Sequence, residues 1–180
     1  MAKVGIMSPG TIGVTLAHAL NMSGHQTFYA SEGRTKMTQV RAKDFGVRDL
    51  QTVENVFAEC DVVFCIVRND NAAYELANKA VECGYKGLYV DANSFSHVSS
   101  DMEIERICKA GNVKYVEMSI LAWPIYDVKP ETGFERQIHI SGDYASEVES
   151  LFSFDFWHVF THEKGAKEFR RDLVFVKGVR

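Results

Sequence analysis

One stretch decides the fold of this chain: Lys3-Val4-Gly5-Ile6-Met7-Ser8-Pro9-Gly10-Thr11-Ile12-Gly13. It passes from an apolar run through a turn of small residues into a helical pattern. A strand that feeds a tight turn leaves the first N–H groups of the next helix unpaired, and with the helix dipole these groups hold a pyrophosphate. Gly10 lets the backbone approach a phosphate, and Gly13 lets the helix lie close to the strand. The stretch therefore predicts a dinucleotide-binding turn.

The predicted turn departs from the usual glycine pattern at two positions. Ser8 stands where the first glycine normally lies, and Pro9 carries no N–H group, so the loop has one donor fewer. The predicted cofactor contacts of the turn are Ser8, Pro9, Gly10, Thr11 and Ile12.

Composition sets the limits within which this turn is interpreted. The 180 residues are 46% hydrophobic and 24% charged, with a formal net charge of −4. These values are typical of a soluble globular protein, and the acidic balance argues against nucleic acid as the main partner. No apolar stretch is long enough to span a membrane and no signal segment is recognised, so a cytoplasmic location is expected. The four cysteines lack metal-site spacing and are interpreted as core thiols.

Strand and helix patterns alternate along the chain, which predicts an α/β fold with a doubly wound, mostly parallel sheet. The predicted strand at 61–67 is uniformly apolar from Val62 to Val67, which is typical of a central strand buried on both faces. A helix is predicted over 49–59 and another over 143–152. We expect residues 1–152 to form the dinucleotide-binding domain, and residues 153–180 to form a C-terminal extension or the stump of an interdomain helix. Part of the aromatic cluster at 154–160 is expected to form a strand at the sheet edge.

The loop after the second strand is expected to select the cofactor. Enzymes for NAD usually place a carboxylate at the end of this strand, and that position is Ala30 here. The chain instead supplies Ser31, Arg34 and Thr35, whose hydroxyl and guanidinium groups suit a 2′-phosphate. This pattern predicts NADP (NADPH), although Glu32 would repel the phosphate unless it turns away. The alternative is that the loop only caps the following helix.

Two further loops follow strands at the edge where ligands bind in doubly wound sheets. Val67 and Arg68 are predicted to lie beside the adenosine and ribose half of a dinucleotide. Asn93 and Ser94 are predicted to face the nicotinamide and a polar substrate. The alternative for both loops is a structural role, because Asn, Asp and Ser are common in turns and helix caps.

The order of these motifs resembles the NADP-binding domain of the 6-phosphogluconate dehydrogenase and 3-hydroxyisobutyrate dehydrogenase superfamily, in its 6-phosphogluconate dehydrogenase-like branch. The resemblance rests on residues 4–13, 32–34, 61–67, 90–96 and 137–142. It implies a Rossmann-type fold and hydride transfer between NADP and a small hydroxy acid. It also implies a second, all-helical domain that supplies a catalytic lysine and the contacts of a homodimer.

The chain departs from this family plan where catalytic residues are expected. Leu121 falls at the position of the catalytic serine, and Ser119, two residues earlier, is not assumed to replace it. Phe169 or Arg171 falls near the position of the catalytic lysine. The helical domain is expected to be missing, because the sequence ends at Arg180. Catalytic residues therefore remain unassigned.

Two classes of function remain open from the sequence. The first is an NADP-dependent oxidoreductase, or its cofactor-binding part, acting on a small hydroxy acid and neither on nucleic acid nor at a membrane. The second is a non-catalytic module that binds or senses NADP(H), and a truncated protein without activity is a further possibility. Among the histidines, His139 alternates with Ile138 and Ile140, which predicts that it faces outward from a strand.

Overall fold

The structure is a computed structural model that describes residues 1–94, 98–122, 136–153, 157–163 and 165–168. Its eight strands are β1 Lys3–Ile6, β2 Gln26–Tyr29, β3 Arg48–Asp49, β4 Val62–Cys65, β5 Leu88–Asp91, β6 Lys114–Leu121, β7 Arg136–Ser141 and β8 Trp157–His162. Its helices are α1 Thr11–Met22, α2 Lys36–Asp44, α3 Val53–Glu59, α4 Asp70–Glu82, α5 Val98–Ala110 and α6 Ala145–Glu149.

All eight strands form one sheet in the order β3-β2-β1-β4-β5-β6-β7-β8. The six strands from β3 to β6 in this order are mutually parallel. β7 runs antiparallel to β6, and β8 runs parallel to β7. The order reverses between β1 and β4, which is the point where doubly wound sheets bind ligands. The predicted doubly wound, mostly parallel fold is confirmed.

The sheet separates two apolar cores, and β4 shows how the sequence creates both. Val62 and Phe64 point into the core that also holds α1 and α6. Val63 and Cys65 point into the core that holds α3, α4 and α5. Successive side chains of a strand face opposite sides of a sheet, so a strand with helices on both faces must be apolar at every position. This explains the uniform run at 61–67 and confirms its predicted place in the centre.

β6 extends further than its parallel neighbour at the carboxyl edge. Asp91, the last residue of β5, pairs with Glu117, whereas β6 continues through residues 118–121. β7 and β8 lie beside this extension, since Ser119 pairs with His139 and His139 pairs with Phe160. At the carboxyl edge of the sheet, β6 therefore projects beyond the end of β5.

Two predicted helices differ from the observed elements. The predicted helix at 49–59 begins later, because Arg48–Asp49 forms β3 and α3 starts only after Thr52, whose side chain accepts a hydrogen bond from Asn55 N at 3.2 Å. Gln51, with φ of 72°, turns the chain between them. The predicted helix at 143–152 shortens to α6, Ala145–Glu149.

In the described part of the chain, no helix is long and apolar enough to cross a membrane.

Candidate functional site

The turn after β1 leaves open space in front of α1. Gly10 is the N-cap of α1, and no side-chain hydrogen bond caps the helix within the described residues. Apart from Gly10 itself and its two chain neighbours, no heavy atom of the described chain lies within 4 Å of a Cβ built on Gly10. The Gly10 N–H itself donates to the Ser8 carbonyl at 2.8 Å, which keeps the turn tight. An uncapped helix N-terminus facing open space is the geometry that receives an anion.

Gly13 is required by the close contact between α1 and this turn. A Cβ on Gly13 would lie 2.1 Å from the Ser8 carbonyl oxygen, which is backbone and cannot move aside as a flexible side chain would. Gly13 therefore allows the close packing that was predicted, and the backbone that lies so close to it is that of the turn itself. Pro9 is buried, while Ser8 and Ile12 are half-buried and Thr11 is exposed.

Arg34 lies against the base of the turn. One terminal guanidinium nitrogen, Nη2, donates to the Met7 carbonyl at 2.7 Å. Arg34 Nε is buried and has no hydrogen-bond partner among the described residues. Burial lowers the pKa of this guanidinium from its ordinary value, yet an arginine stays cationic at neutral pH. The structure thus brings together the cation and the glycine turn, which the sequence places 21 residues apart at Gly13 and Arg34.

The rest of the loop after β2 has local partners. Thr35 caps α2, because its hydroxyl accepts from Thr38 N at 3.3 Å. Ser31 N donates to Asp49 Oδ1 at 3.1 Å, and that oxygen also accepts from Gln51 N at 2.7 Å. Glu32 is exposed. Asp49 is a carboxylate near this loop that sequence reasoning missed, because it lies at the end of β3 and not of β2.

Asn93 connects the two loops at the carboxyl ends of β4 and β5. Its Oδ1 accepts from Val67 N at 2.7 Å, and its Nδ2 donates to Asp91 Oδ1 at 2.6 Å. Asn93 is 2% exposed, so its side chain serves contacts within the chain. Arg68 and Ser94 are exposed at the same edge. The structure therefore brings the two predicted loops into direct contact.

A buried cluster of charges lies beneath this edge. Lys167 Nζ is 2.6 Å from Asp91 Oδ2 and 2.7 Å from Asp101 Oδ1. Burial acts to lower the pKa of Lys167, but the two carboxylates outweigh it and the pKa is raised. The hydroxyl of Tyr115 also donates to Asp91 Oδ2, at 3.3 Å. Sequence reasoning missed this cluster, and no local pattern signals it.

Buried polar side chains lie on β6 and β7. Ser119 is fully buried, and its Oγ has no hydrogen-bond partner in the described part of the chain. Leu121, at the position expected for a catalytic serine, lies at the end of β6. Burial also raises the pKa of Glu117, whose carboxylate accepts from Ser141 Oγ at 2.8 Å.

The prediction that His139 faces outward is wrong. His139 is 2% exposed, and its Nδ1 lies 2.8 Å from His162 Nε2. Its ring also stacks on Phe160, with centroids 5.0 Å apart. Burial, with a smaller effect of His162, lowers the pKa of His139 to about 4. The alternation with Ile138 and Ile140 was interpreted correctly as a strand, but β8 supplies aromatic partners on the face that was expected to be solvent.

Three of the four cysteines are buried thiols. Burial raises the pKa values of Cys60, Cys65 and Cys108 to about 12, so none of them is a thiolate at neutral pH. Cys83 is exposed, unlike the core position expected for it. Over the ranges that the structure describes, no group of three or more His, Cys, Asp or Glu side chains could hold a metal ion.

An open cavity of about 780 Å³ lies beside α5, away from the glycine turn. It is lined by Glu105, Glu117, Asp143, Glu163 and Glu168 among others, and by none of the twelve predicted cofactor residues. The glycine turn and the loops after β4 and β5 are therefore distinct from this acidic cavity.

Comparisons with known proteins agree with this fold. A family model described as the NAD binding domain of 6-phosphogluconate dehydrogenase matches residues 3–121. No curated protein sequence matches the chain. Among solved structures, a conserved protein of unknown function with structural similarity to 3-hydroxyacid dehydrogenases is 24% identical, with a TM-score of 0.74, over 98% of this chain and 65% of that chain.

Two enzymes of known name share the fold. The imine reductase from Myxococcus stipitatus in complex with NADP+ is 19% identical, with a TM-score of 0.75, over 98% of this chain and 61% of its own. Its V8 variant, in complex with NAD+, is 17% identical, with a TM-score of 0.76 and the same coverage. The 3-hydroxyisobutyrate dehydrogenase of Mycobacterium tuberculosis with L-serine is 13% identical, with a TM-score of 0.76, over 99% of this chain and 61% of its own.

These solved structures are longer than this chain, which spans 61% to 65% of their length. The family match covers more than half of the chain, from β1 to the end of β6. It includes the glycine turn and both loops at the carboxyl edge, and the resemblance inferred from the sequence is confirmed. The chain therefore belongs to the family of the NAD-binding domain of 6-phosphogluconate dehydrogenase.

Proposed function

We propose that this chain is the NADP(H)-binding domain of an oxidoreductase that transfers hydride to or from a small hydroxy acid. One observation carries the proposal: the uncapped N-terminus of α1 faces open space, with the Arg34 guanidinium held against the base of the same turn. A helix N-terminus and an arginine together favour a ligand with more than one phosphate. NADP(H) has such phosphates and supplies a hydride-carrying nicotinamide when bound.

The residues of the turn fit the pyrophosphate of this cofactor. The backbone from Ser8 to Ile12 would hold it, and the space in front of Gly10 would admit a phosphate oxygen where a Cβ would otherwise stand. Gly13 keeps α1 close enough for its first turn to reach the ligand. Pro9 contributes packing and no donor.

Arg34 supports NADP over NAD. Its Nη2 is anchored on Met7 O, which holds the guanidinium beside the turn, where its charge would attract a 2′-phosphate. Ser31 and Thr35 add hydroxyl groups on the same loop. Asp49 opposes the phosphate through its charge, although two backbone N–H groups already bind its Oδ1. The related imine reductase is found with NADP+ and, as its V8 variant, with NAD+, so the choice rests on Arg34.

The remaining half of the cofactor is assigned to the loops after β4 and β5. Val67 and Arg68 would lie beside the adenosine ribose, and Ser94 would face the nicotinamide. Asn93 would act by holding these loops in place, because both polar groups of its side chain bond within the chain. A small hydroxy acid is the proposed substrate class, supported by the family and by the related dehydrogenase that is found with L-serine.

The second candidate is a non-catalytic module that binds or senses NADP(H). Leu121 at the expected serine position favours it, as do Phe169 and Arg171 near the expected lysine position. Under either candidate we propose that residues 1–152 form the cofactor-binding unit and that residues 153–180 extend it, beginning with β8. A cytoplasmic location and a homodimer remain predictions of the sequence.

The test is a titration of the purified chain with NADPH and with NADH, in which binding is monitored by tryptophan or NADPH fluorescence. We expect clear preference for NADPH. Arg34→Ala should weaken NADPH binding by about 10- to 100-fold, because a charge-assisted pair contributes about 1.5 to 3 kcal/mol. NADH binding should change by less than about twofold, because NADH lacks the 2′-phosphate.

Arg106→Ala is the matched control, since this exposed arginine pairs with Glu103 on α5, away from the turn. Equal weak binding of NADPH and NADH, or equal losses in Arg34→Ala, would remove the argument for NADP. The full-length gene product is also tested for turnover of small hydroxy acids. If it binds NADPH but turns over none of them, the result would favour the sensing module.

A further inference from the structure

Lys167 spans the connection after β5. Asp91 is the last residue of β5, and Asp101 lies in the first turn of α5. Lys167 Nζ contacts both carboxylates, at 2.6 and 2.7 Å, so one ammonium group joins the two ends of the connection that contains Asn93 and Ser94. These three charged side chains are 4%, 0% and 7% exposed for Lys167, Asp91 and Asp101.

A series of hydrogen bonds leads from this ammonium group to the cofactor edge. One oxygen of Asp91, Oδ2, accepts from Lys167 and from Tyr115. The other, Oδ1, accepts from the backbone N and the Nδ2 of Asn93, at 3.1 and 2.6 Å. Asn93 Oδ1 in turn accepts from Val67 N at 2.7 Å. The division of donors between its two oxygens fixes the plane of the Asp91 carboxylate, and with it the orientation of Asn93.

The burial of these groups makes the loop geometry depend on Lys167. Without the ammonium group, Asp91 and Asp101 would be two buried carboxylates facing one position, and like charges at this spacing repel strongly when little water screens them. Movement of the Asp91 end or of the α5 end would relieve this repulsion, and each end is continuous with the connection after β5. Either movement would displace Asn93, which holds the neighbouring loop through Val67.

We propose that Lys167 is a positioning residue, which through Asp91 and Asn93 sets the arrangement of the two loops to which the adenosine ribose and the nicotinamide of the cofactor are assigned. Its ammonium group contacts the two carboxylates, and the proposed effect on the loops passes through them. The identity of the ligand rests on the proposed function, whereas the coupling from Lys167 to Val67 rests on the contacts described above.

Amide hydrogen exchange tests the coupling without any ligand. In Lys167→Met, the amides of Asn93 and Val67 should exchange about tenfold faster relative to the amide of Met7. The loss of an ionic partner should increase the local opening equilibrium, and with it the exchange rate, by at least about that factor. Met7 N donates to Phe64 O in the adjacent strand and does not depend on the cluster. Lys109→Met, at an exposed lysine of α5 paired with Glu105, is the control and should change none of these rates.

Acceleration of Met7 by the same factor as Val67 would mean that Lys167 only stabilises the fold, and unchanged rates would mean that it has no effect; either result overturns the proposal. If Lys167→Met does not fold, Asp101→Asn replaces it. This variant keeps the contact of Lys167 with Asp91 and preserves side-chain shape, and a smaller acceleration confined to Asn93 and Val67 is expected.

Binding of NADPH and of 2′,5′-ADP, which is the adenosine half alone, gives the functional readout. Lys167→Met should weaken NADPH binding by about tenfold and 2′,5′-ADP binding by less than about threefold, because NADPH is assigned to both loops, whereas 2′,5′-ADP is assigned only to the loop that carries Val67 and Arg68. Equal weakening of both ligands would contradict this role. Failure of the unaltered chain to bind either ligand would instead remove the proposed function, and the exchange experiment would still decide the coupling.

Discussion

The glycine turn and the Lys167 cluster lie at the same edge of the sheet, yet they are specified in opposite ways. The turn depends on residues that are neighbours in sequence, such as Ser8 and Gly13, whose contact leaves no room for a Cβ. The cluster joins Lys167 to carboxylates 76 and 66 residues earlier in the chain. The first is visible in a ten-residue pattern, and the second exists only once the sheet has formed. The comparison separates what local sequence encodes from what topology assembles.

The largest effect is expected from breaking the cluster. Lys167→Met should lower the free energy of unfolding by about 3 to 5 kcal/mol, because it removes the ammonium group that contacts two buried carboxylates. The double variant Lys167→Met/Asp101→Asn removes one of those charges and should regain at least about 1 kcal/mol. Urea denaturation of the three proteins measures both differences. A double variant no more stable than Lys167→Met would show that charge burial is not the cause.

The turn is tested by comparing two glycines three residues apart. Gly13→Ala should lower the free energy of unfolding by about 3 kcal/mol, because its Cβ would meet the Ser8 carbonyl oxygen at 2.1 Å. Gly10→Ala should change stability by less than about 1 kcal/mol, because its Cβ enters open space at a φ of −71°.

The two alanine variants should also separate folding from binding. Gly10→Ala should retain the fold and lose affinity for NADPH, since the added methyl would occupy the space assigned to the phosphate. Thermal denaturation and fluorescence titration of the same samples give both quantities. Retained NADPH affinity in a folded Gly10→Ala variant would contradict the assignment of this space.

The buried histidine predicts a dependence on pH. The pKa of His139 is about 4 in the folded chain and about 6.5 when unfolded, so the unfolded chain binds the proton first as pH falls. The free energy of unfolding should therefore decrease by roughly 1 to 3 kcal/mol from this residue as pH drops from about 7 to 4. Glu117 acts in the opposite direction, because its pKa is raised in the folded chain.

His139→Asn isolates the histidine contribution. Chemical denaturation at pH 7 and pH 4.5 should show a smaller decrease in this variant than in the unaltered chain. The same decrease in both proteins would assign the pH dependence to other groups.

The smallest effect is expected at the helix cap of the loop after β2. Thr35→Ala should cost about 1 kcal/mol of stability, because the Thr38 N–H loses its acceptor. Thr35→Ser keeps the hydroxyl and should be nearly neutral. If thermal denaturation finds no difference between the two variants, the cap is not a stabilising contact. A loss of NADPH affinity in Thr35→Ala that Thr35→Ser does not share would add a role in cofactor binding.

The sequence predicted the doubly wound fold because each strand, turn and helix leaves a local pattern. The uniform run at 61–67 indicated a central strand, and the small residues from Ser8 to Gly13 indicated the turn. The two-residue strand β3 was missed, since two residues carry no periodicity. The burial of His139 was missed because alternation identifies a strand without showing what covers each face.

The candidate site was predictable to a similar degree. Arg34 was identified from its place after β2, but its contact with the Met7 carbonyl is a property of the fold. Asn93 was identified at the correct strand end, whereas its two hydrogen bonds assign it to holding loops. Lys167 was not identified, because its partners lie on β5 and α5, far away in the sequence.

The unequal lengths of β5 and β6 have a consequence for how a long ligand would lie. Residues 118–121 continue past the level of Asp91, a rise of about 13 Å at roughly 3.3 Å per residue. A dinucleotide that extends from β2 toward β5 would contact the protruding end of β6 and could extend no further in that direction. We expect this extension of β6 to limit how far the nicotinamide ring can move along the carboxyl edge. The length of β6 would then limit the position of the ring whether or not a substrate is bound.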